Sequence, residues 1–292
     1  MTRVDGRSRS DDLRRRLSAG ESILMPGVWD ALSARAVAEA GFSTAFVSGF
    51  AVSGTLLGRP DVGYLTQGEM ADVARRVCTS APSLNLVVDA DTGYGNAMNT
   101  IRTVELWEAA GAAGMFVEDQ VWPKKCGHME NKSVVPRDEW LSKLRAACER
   151  REHLHVTART DARAAVSLDE AIERGKMARD LGVDAVFVEA PQSRAEMESI
   201  ATALDGCVLV ANMVEKGKTP LLTPAELAEM GFRLVVSPLS LLLSASRAIR
   251  DAANHLAESG TMRDRLDGLD SFDAFTDLMG LPDHVRDEQH FS

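Results

Sequence analysis

The chain has 292 residues, of which 45% are apolar and 5% aromatic, and its formal net charge is −10 at pH 7. This length suits one large α/β domain or two ordinary ones. The negative charge argues against a nucleic-acid or membrane-surface partner. Residues 1–20 lack the apolar centre of a signal peptide, and no apolar run is long enough to span a bilayer. We therefore expect a cytoplasmic enzyme with reduced thiols, in which Cys78, Cys148 and Cys207 are core residues.

Apolar strand patterns alternate with helical patterns along the chain. After a charged helical segment at residues 1–20, the predicted strands are Ile23–Val28, Thr44–Phe50, Leu84–Val88, Met115–Val117, His153–Ala158, Ala185–Val188, Cys207–Ala211 and Leu234–Ser237. The predicted helices that follow them are Ala31–Ala40, Gln67–Cys78, Asn99–Ala110, Arg137–Arg150, Ser167–Leu181, Arg194–Leu204, Thr223–Met230 and Leu243–Glu258. Eight such units predict a closed, parallel (β/α)8 barrel of the TIM type over residues 21–260. Residues 261–292 have too few apolar residues for a core, so we expect a helical tail that packs on the barrel or on a neighbouring subunit.

Polar residues recur where the predicted strands end. They are Asp30, Ser48, Asp89, Asp91, Glu118, Arg159, Glu189 and Asn212. The chemistry of such barrels lies at the C-terminal ends of the strands, and a buried strand does not itself need a charged end. The repetition therefore predicts one shared site.

Four carboxylates in this set favour a metal ion. Asp89 and Asp91 are two residues apart, so we expect both side chains to point into the site. Asp61, on the loop after the second strand, and Glu118 would join them. Four unpaired charges at one mouth would repel one another, and an all-oxygen set favours Mg²⁺, or Mn²⁺, with some contacts made through water. The alternative is an Asp pair that only caps the following turn.

Other residues predict a small anionic substrate. Arg159 is suited to clamp a carboxylate or phosphonate. The turn Ser48, Gly49 and Phe50 can offer a hydroxyl group and backbone N–H groups, and Asn212 opens a polar, lysine-rich loop. Each signal is weak alone, but together they describe a site for a small dianion bound beside a metal.

The loop after the fourth strand carries the candidate catalytic thiol. Its sequence from Pro123 is P-K-K-C-G-H, with Lys124, Cys126, Gly127 and His128. Cationic neighbours favour the thiolate form of a cysteine, so Cys126 is a candidate catalytic acid/base residue, with Lys124 and His128 as its partners. Gly127 is grouped with the substrate-binding residues. The alternative is a solvated surface loop with a chance cysteine; otherwise we expect a lid that closes over bound substrate.

Several segments resemble one family. The runs D-A-D-T-G-Y-G-N from Asp89, E-D-Q from Glu118, P-K-K-C-G-H from Pro123, A-R-T-D-A from Ala158 and A-N-M-V-E-K-G-K-T-P from Ala211 are similar to the isocitrate lyase/phosphoenolpyruvate mutase superfamily. The resemblance covers roughly residues 20–262. It implies a barrel whose eighth helix is exchanged between subunits of a homotetramer.

The resemblance also implies roles for individual residues. Asp61, Asp89, Asp91 and Glu118 match the Mg²⁺ shell, and Ser48 and Gly49 match the substrate-binding turn. Arg159, Glu189 and Asn212 match polar contacts in the pocket. Cys126 matches the cysteine that protonates a released enolate in the lyase branch.

The cysteine loop favours the short-chain lyases, which include those for 2-methylisocitrate and 2,3-dimethylmalate and the plant petal death protein. Phe116 stands where methylisocitrate lyases carry a histidine, and Pro238 stands where oxaloacetate hydrolases carry a serine. The expected activity is a Mg²⁺-dependent retro-aldol cleavage of a 2-alkylmalate or 2-methylisocitrate type acid. The alternatives are a phosphonomutase acting on a carboxyphosphonoenolpyruvate-like substrate, an oxaloacetate hydrolase, and a barrel that has lost catalysis.

Overall fold

Eight short strands form a closed parallel barrel in the computed structural model, which describes residues 5–127, 129 and 131–292. The strands pair in chain order: β1 (Ile23–Val28), β2 (Thr44–Val47), β3 (Asn85–Asp89), β4 (Gly114–Glu118), β5 (His155–Thr160), β6 (Ala185–Val188), β7 (Leu209–Asn212) and β8 (Phe232–Ser237). The barrel closes where β1 pairs with β8, with Ile23 opposite Leu234. The predicted (β/α)8 barrel is confirmed.

The helices surround this barrel. They are α1 (Gly6–Ser18), α2 (Ala31–Glu39), α3 (Gly49–Val52), α4 (Gln67–Ser80), α5 (Ala97–Ala110), α6 (Arg137–Arg150), α7 (Ala162–Ala165), α8 (Leu168–Asp180), α9 (Arg194–Ala203), α10 (Pro224–Glu229), α11 (Ser240–Ser259), α12 (Phe272–Leu278) and α13 (Leu281–Phe291). Side-chain caps fix the starts of most of these helices; Thr66 and Glu69, for example, form a capping box at α4. No helix in the described residues is long and apolar enough to cross a membrane.

Helix α1 packs beneath the barrel, at the end opposite the predicted site. The guanidinium group of Arg9 is buried and donates to the main-chain carbonyls of Gly111, Cys78, Ala81 and Pro82. Ser10 donates to the carbonyl of Ala113, just before β4. These contacts satisfy carbonyl groups that would otherwise be buried without a partner.

Several predicted details differ from the structure. The second strand was expected to run to Phe50, but it ends at Val47 because Ser48 caps the short helix α3. The fifth strand starts at His155 rather than His153. One carboxylate oxygen of Glu108 accepts the N–H groups of residues 152–154, which removes those groups from the sheet. Only Cys78 is fully buried, whereas Cys148 and Cys207 are half-buried.

Candidate active site

A cavity lies at the C-terminal ends of the strands. Ten of the predicted site residues line it: Ser48, Phe50, Asp61, Asp89, Lys124, Cys126, Gly127, Arg159, Glu189 and Asn212. Gly49, Asp91 and Glu118 do not line the cavity but contact residues that do. His128 lies outside the described residues. Asp30, another polar residue at a strand end, is exposed and caps α2 instead.

Lys124 lies among the predicted metal ligands. Its ammonium nitrogen is 2.6 Å from Asp61 Oδ1 and 2.6 Å from Asp91 Oδ1, and the side chain is only 4% exposed. Burial disfavours a charged ammonium group, but the surrounding carboxylates outweigh burial and raise the pKa of Lys124 well above its ordinary value. The loop therefore delivers a fixed positive charge to the carboxylate cluster.

Asp91 reaches this cluster by a different route from the one expected. Strand β3 ends at Asp89, so strand alternation does not place Asp91. Its backbone has φ 45°, in the left-handed region, and its N–H group donates to Asp89 Oδ1 over 3.2 Å. Non-glycine residues adopt this conformation only at a cost, which surrounding contacts must offset. A tight turn brings the two carboxylates together.

The charges around the cavity are unbalanced. Among the described residues, six carboxylates (Asp61, Asp89, Asp91, Glu118, Asp161 and Glu189) meet three cationic groups (Lys124, Lys132 and Arg159). Burial raises the pKa of Asp91 to about 7, and it raises the pKa of Glu118 well above its usual range. Full ionisation of the site therefore calls for further positive charge.

The donor set suits a hard divalent cation. All the donors are carboxylate oxygens, and Glu118 Oε1 is buried without a hydrogen-bond partner in the described part of the chain. Across residues 5–127, 129 and 131–292, no three acidic, histidine or cysteine side chains form a ready-made direct coordination group. Water molecules would therefore complete the shell, as is usual for Mg²⁺.

Arg159 is held by protein carboxylates on every edge of its guanidinium group. Nη1 is 3.2 Å from Glu118, Nε is 3.0 Å from Asp161, and Nη2 is 3.2 Å from Glu189. Asn212 donates to the same Glu189 carboxylate over 3.2 Å. Arg159 also lines the cavity, and direct clamping of a substrate carboxylate by this residue stays a prediction.

The Ser48 turn is also engaged by the protein. The N–H group of Gly49 donates to Asp89 Oδ2 over 3.2 Å, and the Ser48 hydroxyl group accepts from Ala51 at the start of α3. A Cβ atom at Gly49 would lie 2.7 Å from Asp89 Oδ2, so glycine permits this close approach. The turn therefore orients a carboxylate of the cluster at the edge of the cavity.

The cysteine loop lies over the cavity. The N–H group of Cys126 donates to the carbonyl of Asp61 over 3.2 Å. A Cβ atom at Gly127 would overlap Glu189 Oε2 and lie 2.6 Å from Arg159 Nη2, so a side chain here would force the loop or these two groups to shift. Buried carboxylates give Lys124 its partners, so this polar segment packs at the mouth of the barrel.

The sequence did not lead us to predict that three phenylalanines form one apolar wall of the cavity. Phe46, Phe116 and Phe187 pack together, with ring centroids 4.9 Å apart for Phe46–Phe116 and 5.7 Å apart for Phe116–Phe187. Each lies two residues before a predicted site residue (Ser48, Glu118 and Glu189), on the same side of its strand. Val236 stands in the same relation to Pro238, and both line the cavity. This spacing of two residues was the available signal.

Known proteins are similar to this chain over most of its length. A family model described as phosphoenolpyruvate phosphomutase matches residues 13–257. The chain is 47% identical to the chloroplastic carboxyvinyl-carboxyphosphonate phosphorylmutase of Arabidopsis thaliana, covering 92% of this chain and 81% of the relative. It is 44% identical to the petal death protein of Dianthus caryophyllus, covering 97% of this chain and 89% of the relative.

Solved structures show the same barrel. A structure of oxaloacetate acetylhydrolase matches with a TM-score of 0.93 and 35% identity, covering 97% of both chains. A structure of 2,3-dimethylmalate lyase matches with a TM-score of 0.93 and 34% identity, covering 97% of this chain and 95% of the other. The family model and these relatives span nearly the whole barrel. The chain therefore belongs to the isocitrate lyase/phosphoenolpyruvate mutase superfamily and is an enzyme of its lyase and mutase type.

Proposed function

We propose that this protein is a Mg²⁺-dependent carbon–carbon lyase that cleaves a 2-hydroxy dicarboxylate with an apolar substituent, such as a 2-alkylmalate, with Mn²⁺ able to replace Mg²⁺. The observation that carries the proposal is the division of the cavity into two halves. One half holds the carboxylates and Lys124, with Cys126 beside them, and the other is the wall of Phe46, Phe116 and Phe187. A dicarboxylate with an apolar group matches both halves.

The proposed reaction is a retro-aldol cleavage. A basic group takes the proton of the C2 hydroxyl group, the C2–C3 bond breaks, and C2 becomes the carbonyl carbon of an α-keto acid. The bond electrons go to C3, which becomes the enolate carbon of the released monocarboxylate, and the thiol of Cys126 donates its proton to that carbon. Arg159 and Lys124 stabilise the developing negative charge, while Glu189 and Asn212 hold Arg159 in place.

The cation in this proposal would be held by Asp89, with Asp61, Asp91 and Glu118 around it directly or through water. It would supply Lewis-acid stabilisation of substrate oxygen atoms. The excess of buried carboxylates over cationic groups supports this assignment.

The aromatic wall favours one class of substrate over another. Phe116 offers no hydrogen bond, so a third carboxylate in that part of the cavity would be left without a partner. A smaller apolar substituent, such as a methyl or ethyl group, would instead gain burial worth about 0.8 kcal/mol per CH₂. We therefore rank 2-alkylmalates above 2-methylisocitrate.

A phosphonomutase is the second candidate, because the chloroplastic phosphorylmutase relative is 47% identical. Oxaloacetate hydrolysis ranks lower. Pro238 at the cavity wall offers no hydroxyl group, although the oxaloacetate acetylhydrolase structure has the same fold.

One assay separates these candidates. Purified protein with Mg²⁺ should be tested against 2-alkylmalates, 2-methylisocitrate, oxaloacetate and phosphonopyruvate, with α-keto acid, oxalate and phosphoenolpyruvate measured as products. The lyase proposal requires the largest kcat/KM on a 2-alkylmalate. Faster turnover of a phosphonate or of oxaloacetate would replace it.

We also propose a homotetramer in which α11 is exchanged between subunits. This helix has 20 residues, all within the described part of the chain, and none of them is buried. Its exposed apolar side chains include Leu243, Ile249 and Leu256, at 46%, 68% and 46% exposure. A face of this kind is typical of a subunit interface. Analytical ultracentrifugation tests this, since a monomer at micromolar concentration would contradict the proposal.

A further inference from the structure

The loop that carries Cys126 leaves and returns to the barrel along one paired stem. The N–H group of Val121 donates to the carbonyl of Ser133 over 2.9 Å, and that of Val135 donates to the carbonyl of Asp119 over 2.8 Å. These bonds fix both ends of the loop at the mouth of the barrel. They do not fix the segment Lys124–Gly127, which lies farther along the loop and enters the site.

Gln120 holds that segment from below. It is 1% exposed, and its side-chain Nε2 donates to the carbonyl of Lys125 over 2.8 Å while its Oε1 accepts the Lys125 N–H group over 2.9 Å. One amide thus satisfies both main-chain groups of the residue between Lys124 and Cys126. Neither a carboxylate nor an apolar side chain can both donate and accept in this way.

Lys132 holds the other end of the segment. Its buried ammonium group donates to the carbonyl of Gly127 and to Asp161 Oδ1, the latter over 2.6 Å. Asp161 in turn contacts Arg159 Nε over 3.0 Å, and its N–H group donates to the buried Asp119 carboxylate. Lys132 therefore connects the loop to the residue that orients Arg159.

We propose that Gln120 and Lys132 are positioning residues that hold Cys126 and Lys124 at the cavity, Gln120 through the backbone of Lys125 and Lys132 through Gly127 and Asp161. Neither side chain contacts the substrate in this assignment. Its catalytic consequence rests on the lyase function proposed above, whereas its structural consequence does not. Loss of either anchor leaves buried main-chain groups without partners, so the segment should leave the cavity more often.

The accessibility of Cys126 measures this directly. Full-length wild type, Gln120→Leu and Lys132→Met are treated with iodoacetamide, and the alkylation of each cysteine is followed by mass spectrometry. The half-buried Cys148 and Cys207 serve as reference thiols in the same molecule. The rate at Cys126 should rise roughly tenfold in both variants while the reference rates stay constant. Unchanged alkylation of Cys126 in both variants would overturn the proposal.

Matched variants distinguish loss of an anchor from loss of charge and from general unfolding as the cause of faster alkylation at Cys126. Lys132→Arg keeps donors for both partners and should restore the slow wild-type rate. Lys125→Met removes the ammonium group that donates to the carbonyl of Asn131 but keeps the main-chain contacts with Gln120, so alkylation should not rise. A parallel rise at Cys148 and Cys207 with a lower melting temperature indicates general destabilisation and would also count against the anchors.

Steady-state kinetics test whether the two anchors contribute to turnover. On the best substrate of the panel, kcat should fall in Gln120→Leu and Lys132→Met with little change in KM, because the anchors place the acid rather than bind substrate. If the panel shows no cleavage but alkylation changes as expected, the lyase function fails and the anchors stand. If Cys126 is alkylated at the wild-type rate in both variants while the panel shows cleavage, the anchors fail and the lyase function stands.

Discussion

The ammonium nitrogen of Lys124 lies 2.6 Å from Asp91 Oδ1, inside the group of carboxylates that the sequence marks as metal ligands. The same nitrogen is 2.6 Å from Asp61 Oδ1. A cationic group therefore already neutralises part of the cluster, and it belongs to the loop that carries Cys126. Lys124 thus links the position of the loop to the charge balance of the site.

This link predicts competition between Lys124 and Mg²⁺ for carboxylate oxygens. In Lys124→Met the carboxylates lose a buried partner, so Mg²⁺ should bind roughly tenfold more tightly, and added Mg²⁺ should raise the melting temperature more than in wild type. Calorimetric titration and thermal unfolding with and without Mg²⁺ measure this. Lys176→Met, on helix α8, is the control. Equal Mg²⁺ affinity in Lys124→Met and wild type would show that the two cations occupy independent positions.

The proposed metal dependence predicts the behaviour of Asp89→Ala. Asp89 ends β3, and its carboxylate accepts from Gly49 and Asp91 rather than packing in the core. The variant should keep its circular dichroism spectrum but bind Mg²⁺ at least roughly tenfold more weakly. Exhaustive chelation should abolish turnover of the wild-type protein, and Mg²⁺ or Mn²⁺ should restore it. Full activity after chelation would remove the cation from the proposal.

Gly127 predicts a steric effect on catalysis. In Gly127→Ala the new methyl group meets Glu189 and Arg159, so either the loop or these two site groups must shift. Displacement of a catalytic group by about 1 Å can cost roughly 10²-fold in rate, and kcat/KM should fall on that scale. Gly68→Ala is the matched control because no atom lies near its new Cβ. Similar losses in both variants would mean that the close approach at Gly127 is not the cause.

We expect His155, at the end of the barrel opposite the site, to make the stability of the protein depend on pH. Burial lowers the pKa of His155 to about 4, against the attraction of Asp184. Below pH 6.5 the unfolded chain binds a proton that the folded chain excludes, so this residue lowers stability as pH falls from 6.5 towards 4. The loss approaches about 3 kcal/mol. Urea unfolding of wild type and His155→Gln at several pH values isolates this contribution. The difference between their free energies of unfolding should change between pH 6.5 and 4 and stay constant above pH 7.

The sequence predicts the barrel well because each of its strands is buried on both faces and reads as a short apolar run. It also predicts most of the polar residues that line the cavity, since the parallel arrangement brings the strand ends to one mouth. It could not predict that Lys124 reaches the carboxylates, because that depends on the path of a loop held by distant residues such as Gln120 and Lys132. Glu108 shifted the start of β5 for the same reason, through contacts with residues far along the chain.

Cys126→Ser tests the proposed chemistry itself. The thiol lines the cavity next to Gly127, and in the lyase proposal it donates a proton to the carbanion formed at C3. Serine keeps the size of the side chain but is a far weaker acid, so turnover of the best 2-alkylmalate should fall by roughly 10²–10⁴-fold. Binding of pyruvate in the presence of Mg²⁺ should hardly change, because Arg159 and the carboxylate cluster are intact.

The same substitution distinguishes the two leading candidates. Transfer of a phosphorus group needs no protonation of a carbanion, so a phosphonomutase should lose much less activity in Cys126→Ser. A D₂O solvent isotope effect on kcat should accompany the lyase reaction when proton donation limits turnover, and pyruvate binding measured by calorimetry controls for damage to the site. If Cys126→Ser cleaves the C2–C3 bond at near wild-type rates, another group is the acid and the proposed role of the thiol is wrong.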